Sequence, residues 1–274
     1  MDKSIEKLFD LKDKVVIVAG GAGQIGFSFC EIISKAGAIV VIFDLDSDLA
    51  KKKIVTIKEK NLLDKFHFYK VDVTNKNEIN ENLKLVITKF NRIDALINAF
   101  HYKGNSRILD KNTNFFVDFE NYPEEAWNKV HDVNLKGAFL LSQMIFPYFK
   151  KQNKGIIVNI SSTYGNVSPN PKIYGDSGIN SPIAYATSKA AIINLTRYLA
   201  VHLAKYNIRV NCLSPGGVFN NQSDEFVKNY NDKTPLGRMA NPEDYQGSIL
   251  FLLTDASNYM TGANLIVDGG WTAW

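Results

Sequence analysis

The sequence predicts one α/β domain spanning residues 1–274: a doubly wound parallel sheet of about seven strands, flanked by helices. Three observations carry this. Short β-branched runs alternate with longer helical patterns along the whole chain. The strand runs are apolar on both faces, as strands are when helices cover each side of a parallel sheet. With 274 residues and 45% hydrophobic content, the chain can bury one sizeable core.

The elements follow in order. Lys14–Ala19 (KVVIVA) is an apolar strand that ends at glycines, and a helix follows from Ile25 to Lys35. Ile39–Asp44 (IVVIFD) is the second strand, succeeded by a Lys-rich helix reaching about Lys60. Phe66–Val71 is the third strand. Asn75 with Glu78 has the form of a capping box, so a helix starts there and runs to about Phe90. Ala95–Asn98 is the fourth strand, and a long polar loop fills 99–122. Pro123 stands where a first helical turn tolerates proline, and the pattern predicts a long helix to about Lys150. Gly155–Ile160 is the fifth strand, followed by a second long loop. Ile183 to Tyr206 reads as helix, Ile208–Leu213 as strand, Asn241 to Leu253 as helix, and Asn264–Val267 as the last strand. Both long loops follow strands and so lie at the carboxyl edge, where such sheets bind ligands. There are no repeats, low-complexity tracts or linkers.

Composition narrows the function. The net charge is +4, with acids and bases interspersed, and the Lys51–Lys53 run reads as a solvated helix face. This argues against a nucleic-acid partner. The start, MDKSIEKLFDLKDK, is too charged for a signal peptide, and no apolar run reaches membrane-spanning length. The two cysteines, Cys30 and Cys212, lie far apart in apolar contexts, as reduced core thiols of a cytoplasmic protein do. The four histidines show no ligand spacing, so no metal is expected.

The run AGGAGQIG follows the first strand and opens the first helix, the context a dinucleotide fingerprint needs. Gly20, Gly23, Gln24, Ile25 and Gly26 would bring backbone N–H groups to a pyrophosphate at a helix N-terminus. Alone, the run could be a tight turn that binds nothing. Asp44 weighs against that: it ends the second strand about twenty residues on, where an acid hydrogen-bonds the adenosine ribose. A carboxylate there repels a 2′-phosphate, so NAD is favoured over NADP. Downstream, Tyr185 and Lys189 stand four apart in YATSK, on one face of a predicted helix, with Ser162 before them. An ammonium beside a phenol favours the phenolate and lowers its pKa. That makes Tyr185 a proton donor and acceptor near neutral pH. Taken singly, Tyr185 could be a core tyrosine, Ser162 a turn cap and Asn134 a locally bonded helix residue.

Together these residues resemble the short-chain dehydrogenase/reductase family, and the resemblance runs from Leu8 to Trp271. Its parts are the glycine cluster, Asp72-Val73, Asn98-Ala99, Asn134 within HDVNLKG, Ser162 in VNISS, Tyr185 with Lys189, Pro215-Gly216 and the ending VDGG. The resemblance implies a Rossmann fold and roles for each part. Asp72 and the Val73 backbone would contact the adenine, and Asn98 would support the cofactor cleft. Val218, after Pro215-Gly216, would meet the nicotinamide carboxamide. Ser162 would hydrogen-bond the substrate oxygen and Tyr185 would transfer the proton. Lys189 would hold the nicotinamide ribose and depress the Tyr185 pKa. Asn134 would anchor a water leading from Lys189 to solvent.

The chain departs from the family pattern in places. Gln24 stands where a glycine is commonest, Asn98-Ala99-Phe100-His101 replaces the usual NNAG, and Asn220 replaces a threonine. The separation of Ser162 from Tyr185 is longer than usual. The extra segment, residues 163–182, carries Tyr164, Tyr174 and Asp176. Similar inserts occur in a subgroup linked to bacterial surface-sugar and flagellin-glycan biosynthesis. The implied activity is NAD(H)-dependent interconversion of a secondary alcohol and a ketone on a polar, sugar-like small molecule, within carbohydrate metabolism. His101, Lys103 and Arg107 could bind an anionic substrate group or form a solvated loop. The apolar helix over 140–149 and the helix over 184–203 resemble the family's dimer-forming pair, implying a homodimer or homotetramer. The alternatives are a non-catalytic dinucleotide-binding sensor or scaffold and an NADPH-dependent 3-ketoacyl reductase.

Overall fold

The structure is a computed structural model that describes residues 3–57, 59–102, 116–175 and 181–274. Lys103, Arg107 and Asp176 lie outside the described residues.

Helix α1 (Lys3–Leu8) precedes strand β1 (Val15–Ala19), helix α2 (Gln24–Lys35) and strand β2 (Ile39–Asp44). Helices α3 (Ser47–Ile54) and α4 (Lys60–Leu63) lead to β3 (Phe66–Lys70), α5 (Lys76–Phe90) and β4 (Ala95–Asn98). Then come α6 (Glu124–His131), α7 (Gly137–Gln152), β5 (Gly155–Ile160), α8 (Ile183–Leu203) and β6 (Ile208–Pro215). The chain closes with α9 (Asp224–Lys233), α10 (Gln246–Leu253) and β7 (Asn264–Val267).

The seven strands form one sheet in the order β3-β2-β1-β4-β5-β6-β7, and every pair is parallel. The seven expected strands are therefore all present. The winding reverses between β1 and β4, which pair with Ala19 opposite Asn98. Their carboxyl ends open the crevice at which doubly wound sheets bind ligands.

The side-chain period of two along each strand divides the core. Val16 and Val18 of β1 pack with Phe29, Ile42 and Ile249 on one face. Val15, Ile17 and Ala19 pack with Phe43, Leu141 and Phe149 on the other. Each fully buried side chain of this size contributes ~1.5–3 kcal/mol, so the central strands stay apolar until they reach the edge at Asn98. Among the described residues no helix is long and apolar enough to cross a membrane.

Several expectations are corrected. The Lys-rich helix stops at Ile54 because Val55, Thr56 and Ile57 crowd a helical turn, and the Thr56 hydroxyl donates to the Lys53 carbonyl at 2.7 Å. The long helix after Pro123 is interrupted by a π turn at Asp132–Lys136. The extra residue in that turn directs Asn134 toward α8, where it bonds Ser188. Strand β6 continues two residues past Leu213, since Pro215 sits at a strand end where no N–H is needed. Helices α1 and α9 were not expected. Asn75 does cap α5, accepting from the Asn77 and Glu78 N–H groups.

Candidate active site

The glycine turn between β1 and α2 is built from close contacts. Gly20 has φ +80, and a Cβ there would lie 2.5 Å from the Phe100 backbone nitrogen. Only glycine lets the turn press against the chain leaving β4. Gly23 is the N-cap of α2 and brings no side-chain cap, so the first N–H groups of a twelve-residue helix are left to an outside partner. Asp44 ends β2 beside this turn. Its two oxygens accept from the Ala22 N–H at 2.9 Å and the Asp46 N–H at 3.1 Å, which ties the glycine turn to β2. Exposed Gly23, the uncapped helix end and a carboxylate at the β2 edge fit a dinucleotide.

The other expected cofactor residues are distributed as follows. Ile25 and Gly26 lie in the first turn of α2, with Ile25 half-buried and Gly26 buried. Gln24 reaches across the crevice and donates to the Phe219 carbonyl at 2.8 Å. One Asp72 oxygen accepts from both the Thr74 N–H and hydroxyl, while Val73 is part of the core. Asn98 is buried and donates to Asn159 at 2.8 Å, and its own Oδ1 has no partner. Pro215 accepts from the Thr163 hydroxyl at 2.9 Å, and Gly216 donates to Val267. Val218 forms an isolated bridge with Ala240.

Ser162 follows β5 and does two things. It caps the short turn Thr163–Gly165, accepting from the Tyr164 N–H at 3.1 Å, and its hydroxyl stands near enough to the Tyr185 phenol to favour the phenolate. Lys189, one helical turn on from Tyr185, is 3% exposed, and its Nζ lies 5.7 Å from the centre of the Tyr185 ring. It donates to the Ile160 carbonyl at 2.7 Å.

The expected lowering of the Tyr185 pKa is corrected here. Burial raises it, and the neighbouring Ser162 hydroxyl offsets only part of the rise. Lys189 does not compensate, because it faces the ring and a carbonyl and because burial lowers its own pKa to about 8. Asn134 is 2% exposed. Its amide oxygen accepts from the Tyr102 N–H at 2.6 Å, and its nitrogen donates to the Tyr102 carbonyl and the Ser188 hydroxyl, both at 3.1 Å. It fastens the chain leaving β4 to α8.

His101 packs edge-on against Tyr185, with ring centroids 5.9 Å apart. A cavity of about 580 Å³ opens among residues 164–169, Pro171, Ser181 and the first turns of α8. Gln24's bridge, Ser188 and α9 were not anticipated as parts of the site. For α9 a signal existed: Ser223 before Asp224 and Glu225, with Phe226, Val227 and Tyr230 at helical spacing.

Comparison with known proteins agrees with this geometry. The family model described as enoyl-(acyl carrier protein) reductase matches residues 20–272. An NAD-dependent glycerol dehydrogenase of Listeria innocua is 32% identical over 98% of each chain. A 3-oxoacyl-[acyl-carrier-protein] reductase of Thermotoga maritima is 34% identical over 95% of this chain and 98% of its own. A solved short-chain dehydrogenase from Leptospira borgpetersenii, with bound NAD+, superposes with a TM-score of 0.83 at 40% identity, covering 96% of this chain and 94% of that one. Similarity over nearly the whole chain, to the family model, to the relatives and to a solved structure alike, makes the chain an oxidoreductase of the short-chain dehydrogenase/reductase family.

Proposed function

We propose that the chain works as a single dinucleotide-binding domain that interconverts a secondary alcohol and a ketone with NAD(H), on a polar, sugar-like substrate of carbohydrate metabolism. The observation that carries this is the grouping of Ser162 and Tyr185 with buried Lys189, whose Nζ lies 5.7 Å from the Tyr185 ring centre, at the same sheet edge as the glycine turn. The residues that would hold the cofactor are Gly20, Gly23, Gln24, Ile25 and Gly26 with Asp44, then Asp72, Val73 and Asn98, and Pro215, Gly216 and Val218. When bound, the nicotinamide supplies or accepts the hydride. The protein's own part is proton handling and orientation. In oxidation the Tyr185 oxygen takes the hydroxyl proton, and in reduction it returns it. Ser162 hydrogen-bonds the substrate oxygen and steadies the charge that develops there. Lys189 holds positive charge beneath the ring, and Asn134 keeps the loop mouth in place.

Asp44 supports NAD over NADP, as do the NAD-dependent Listeria dehydrogenase and the NAD+-bound Leptospira structure. The rival reading, an NADPH-dependent 3-ketoacyl reductase, has the Thermotoga relative behind it and the Asp44 carboxylate against it. The buried free thiols Cys30 and Cys212 suit a reducing cytoplasm. Tyr198 (59% exposed) on α8 and Val201 (77% exposed), one helical turn on, support a homodimer or homotetramer, which light scattering on the purified chain reads.

Tyr185→Phe tests the enzyme reading against a sensor. Turnover should fall by about 10²–10⁴-fold, with NAD affinity changed less than about threefold. A variant that retains turnover refutes the role of Tyr185. A wild-type protein that binds NAD but oxidises no alcohol favours the sensor.

A further inference from the structure

The segment between Ser162 and Tyr185 builds a second tyrosine pair against the reacting one. Tyr164 lies in the turn that Ser162 caps. Tyr174 ends the turn Pro171–Tyr174, which Asn170 caps by accepting from the Lys172 N–H at 3.0 Å. That turn is held from outside by α9. The Tyr174 ring meets Phe226 at 5.3 Å, and Asn229 donates to the Ile173 carbonyl at 3.5 Å. Gly175 has φ +54, and a Cβ on it would collide with the Glu225 carboxylate. Helix α9 is in turn locked to the exit of β6. The Tyr230 hydroxyl accepts from the Gly217 N–H at 2.6 Å, and its ring stacks on Trp271 at 4.4 Å. Residues 163–175 of the insert, α9 and the β6 exit therefore pack as one wall beside Ser162.

Two phenols stand in this wall. Tyr164 and Tyr174 pack into one cluster with Ile173, Phe226, Tyr230 and Trp271, and the Tyr164 and Ser181 hydroxyls both act on the Tyr174 phenol. Tyr164 lies in the turn that Ser162 caps and packs in the same cluster as Tyr174, which brings both phenols to the Ser162 and Tyr185 side of the crevice. Burial raises the pKa of both Tyr164 and Tyr174, so both are neutral where the enzyme works. A neutral phenol beside Tyr185 does not carry the reaction's proton. A phenol can hydrogen-bond a polar group bound next to the reacting carbon.

We infer that Tyr174, held by Tyr164 and the α9 contact, is a positioning residue that selects substrates bearing a hydroxyl next to the reacting carbinol: polyols and sugars rather than monofunctional alcohols. The inference rests on the oxidoreductase reading and narrows its substrate class. Sites built to bond a substrate hydroxyl reject analogues that lack it far more strongly than apolar pockets reject a size change.

The test compares wild type, Tyr174→Phe, Tyr164→Phe and Ser181→Ala with NAD, on a polyol panel (glycerol, xylitol, sorbitol) and on cyclopentanol. Tyr174→Phe should raise KM for the preferred polyol about tenfold, with kcat and the KM for cyclopentanol within about twofold. Tyr164→Phe and Ser181→Ala, which leave the Tyr174 ring in place, should raise the same KM about threefold, keeping the test open if Tyr174→Phe folds poorly. Equal losses on polyol and cyclopentanol, a change in kcat alone, or wild-type turnover of cyclopentanol but of no polyol overturns the inference and leaves the oxidoreductase reading standing. Wild-type turnover of neither class overturns both.

Discussion

Replacing Lys189 by methionine should change how the protein's stability depends on pH, and the size of the change follows from the burial of one amine. Lys189 is 3% exposed, and burial lowers its pKa from 10.5 to about 8. Cys212, whose thiol burial pushes up to about 11, is neutral over most of that interval and supplies little compensating charge. Below pH 8 the folded protein holds a poorly solvated ammonium, with the Ile160 carbonyl as its hydrogen-bond partner. Between about pH 8 and 10.5 the folded protein has released that proton while the unfolded chain keeps it. The unfolded state then binds more protons, and stability rises with pH. A shift of this size corresponds to ~3 kcal/mol across the full window, and to ~2–3 kcal/mol between pH 7 and pH 10. Methionine fills a similar volume without the charge, and leaves the Ile160 carbonyl short of a donor at a cost of ~1–3 kcal/mol that does not vary with pH. Tyrosine titrations are common to both proteins and cancel in the difference. Urea unfolding of wild type and Lys189→Met at pH 7, 8, 9 and 10 should therefore show wild type gaining ~2–3 kcal/mol on the variant as pH rises. The variant should be inactive at every pH while matching or exceeding wild-type stability at pH 7, as expected when a functional group is kept against its solvation preference. A stability difference constant to within ~0.5 kcal/mol across this range would refute the reasoning, because the amine would then titrate at its ordinary value.

Two further substitutions probe the cofactor crevice. Gly20→Ala places a methyl group against the Phe100 backbone at a φ of +80, so it should destabilise the fold by ~2–4 kcal/mol and abolish NAD binding. An unchanged melting temperature with intact NAD affinity would show that the turn is looser than it looks. Asp44→Asn keeps an acceptor for the Ala22 N–H and removes the charge. The ratio of NADP to NAD affinity should rise about tenfold by titration, and a ratio unmoved by the substitution would remove Asp44 as the discriminating group.

The strands, the glycine turn and the Tyr185–Lys189 spacing were legible in the sequence because each depends on local order. A strand of β-branched residues, a glycine run between strand and helix, and a four-residue spacing on one helix face all lie within a few residues of chain. Other features depended on contacts between distant segments. Asn134 meets Ser188 across 54 residues, and Gln24 meets Phe219 across 195. The break in the helix after Pro123 and the role of α9 as a wall for Tyr174 are of the same kind. The state of Tyr185 is the sharpest instance. Its spacing from Lys189 implied a lowered pKa, yet burial raises it, because desolvation depends on everything packed around a group and the amine points at a carbonyl. Sequence alone determined which chemical groups line the sheet edge. The tertiary structure decided which way they point and how much water they keep, since orientation and solvation are properties of the packed whole.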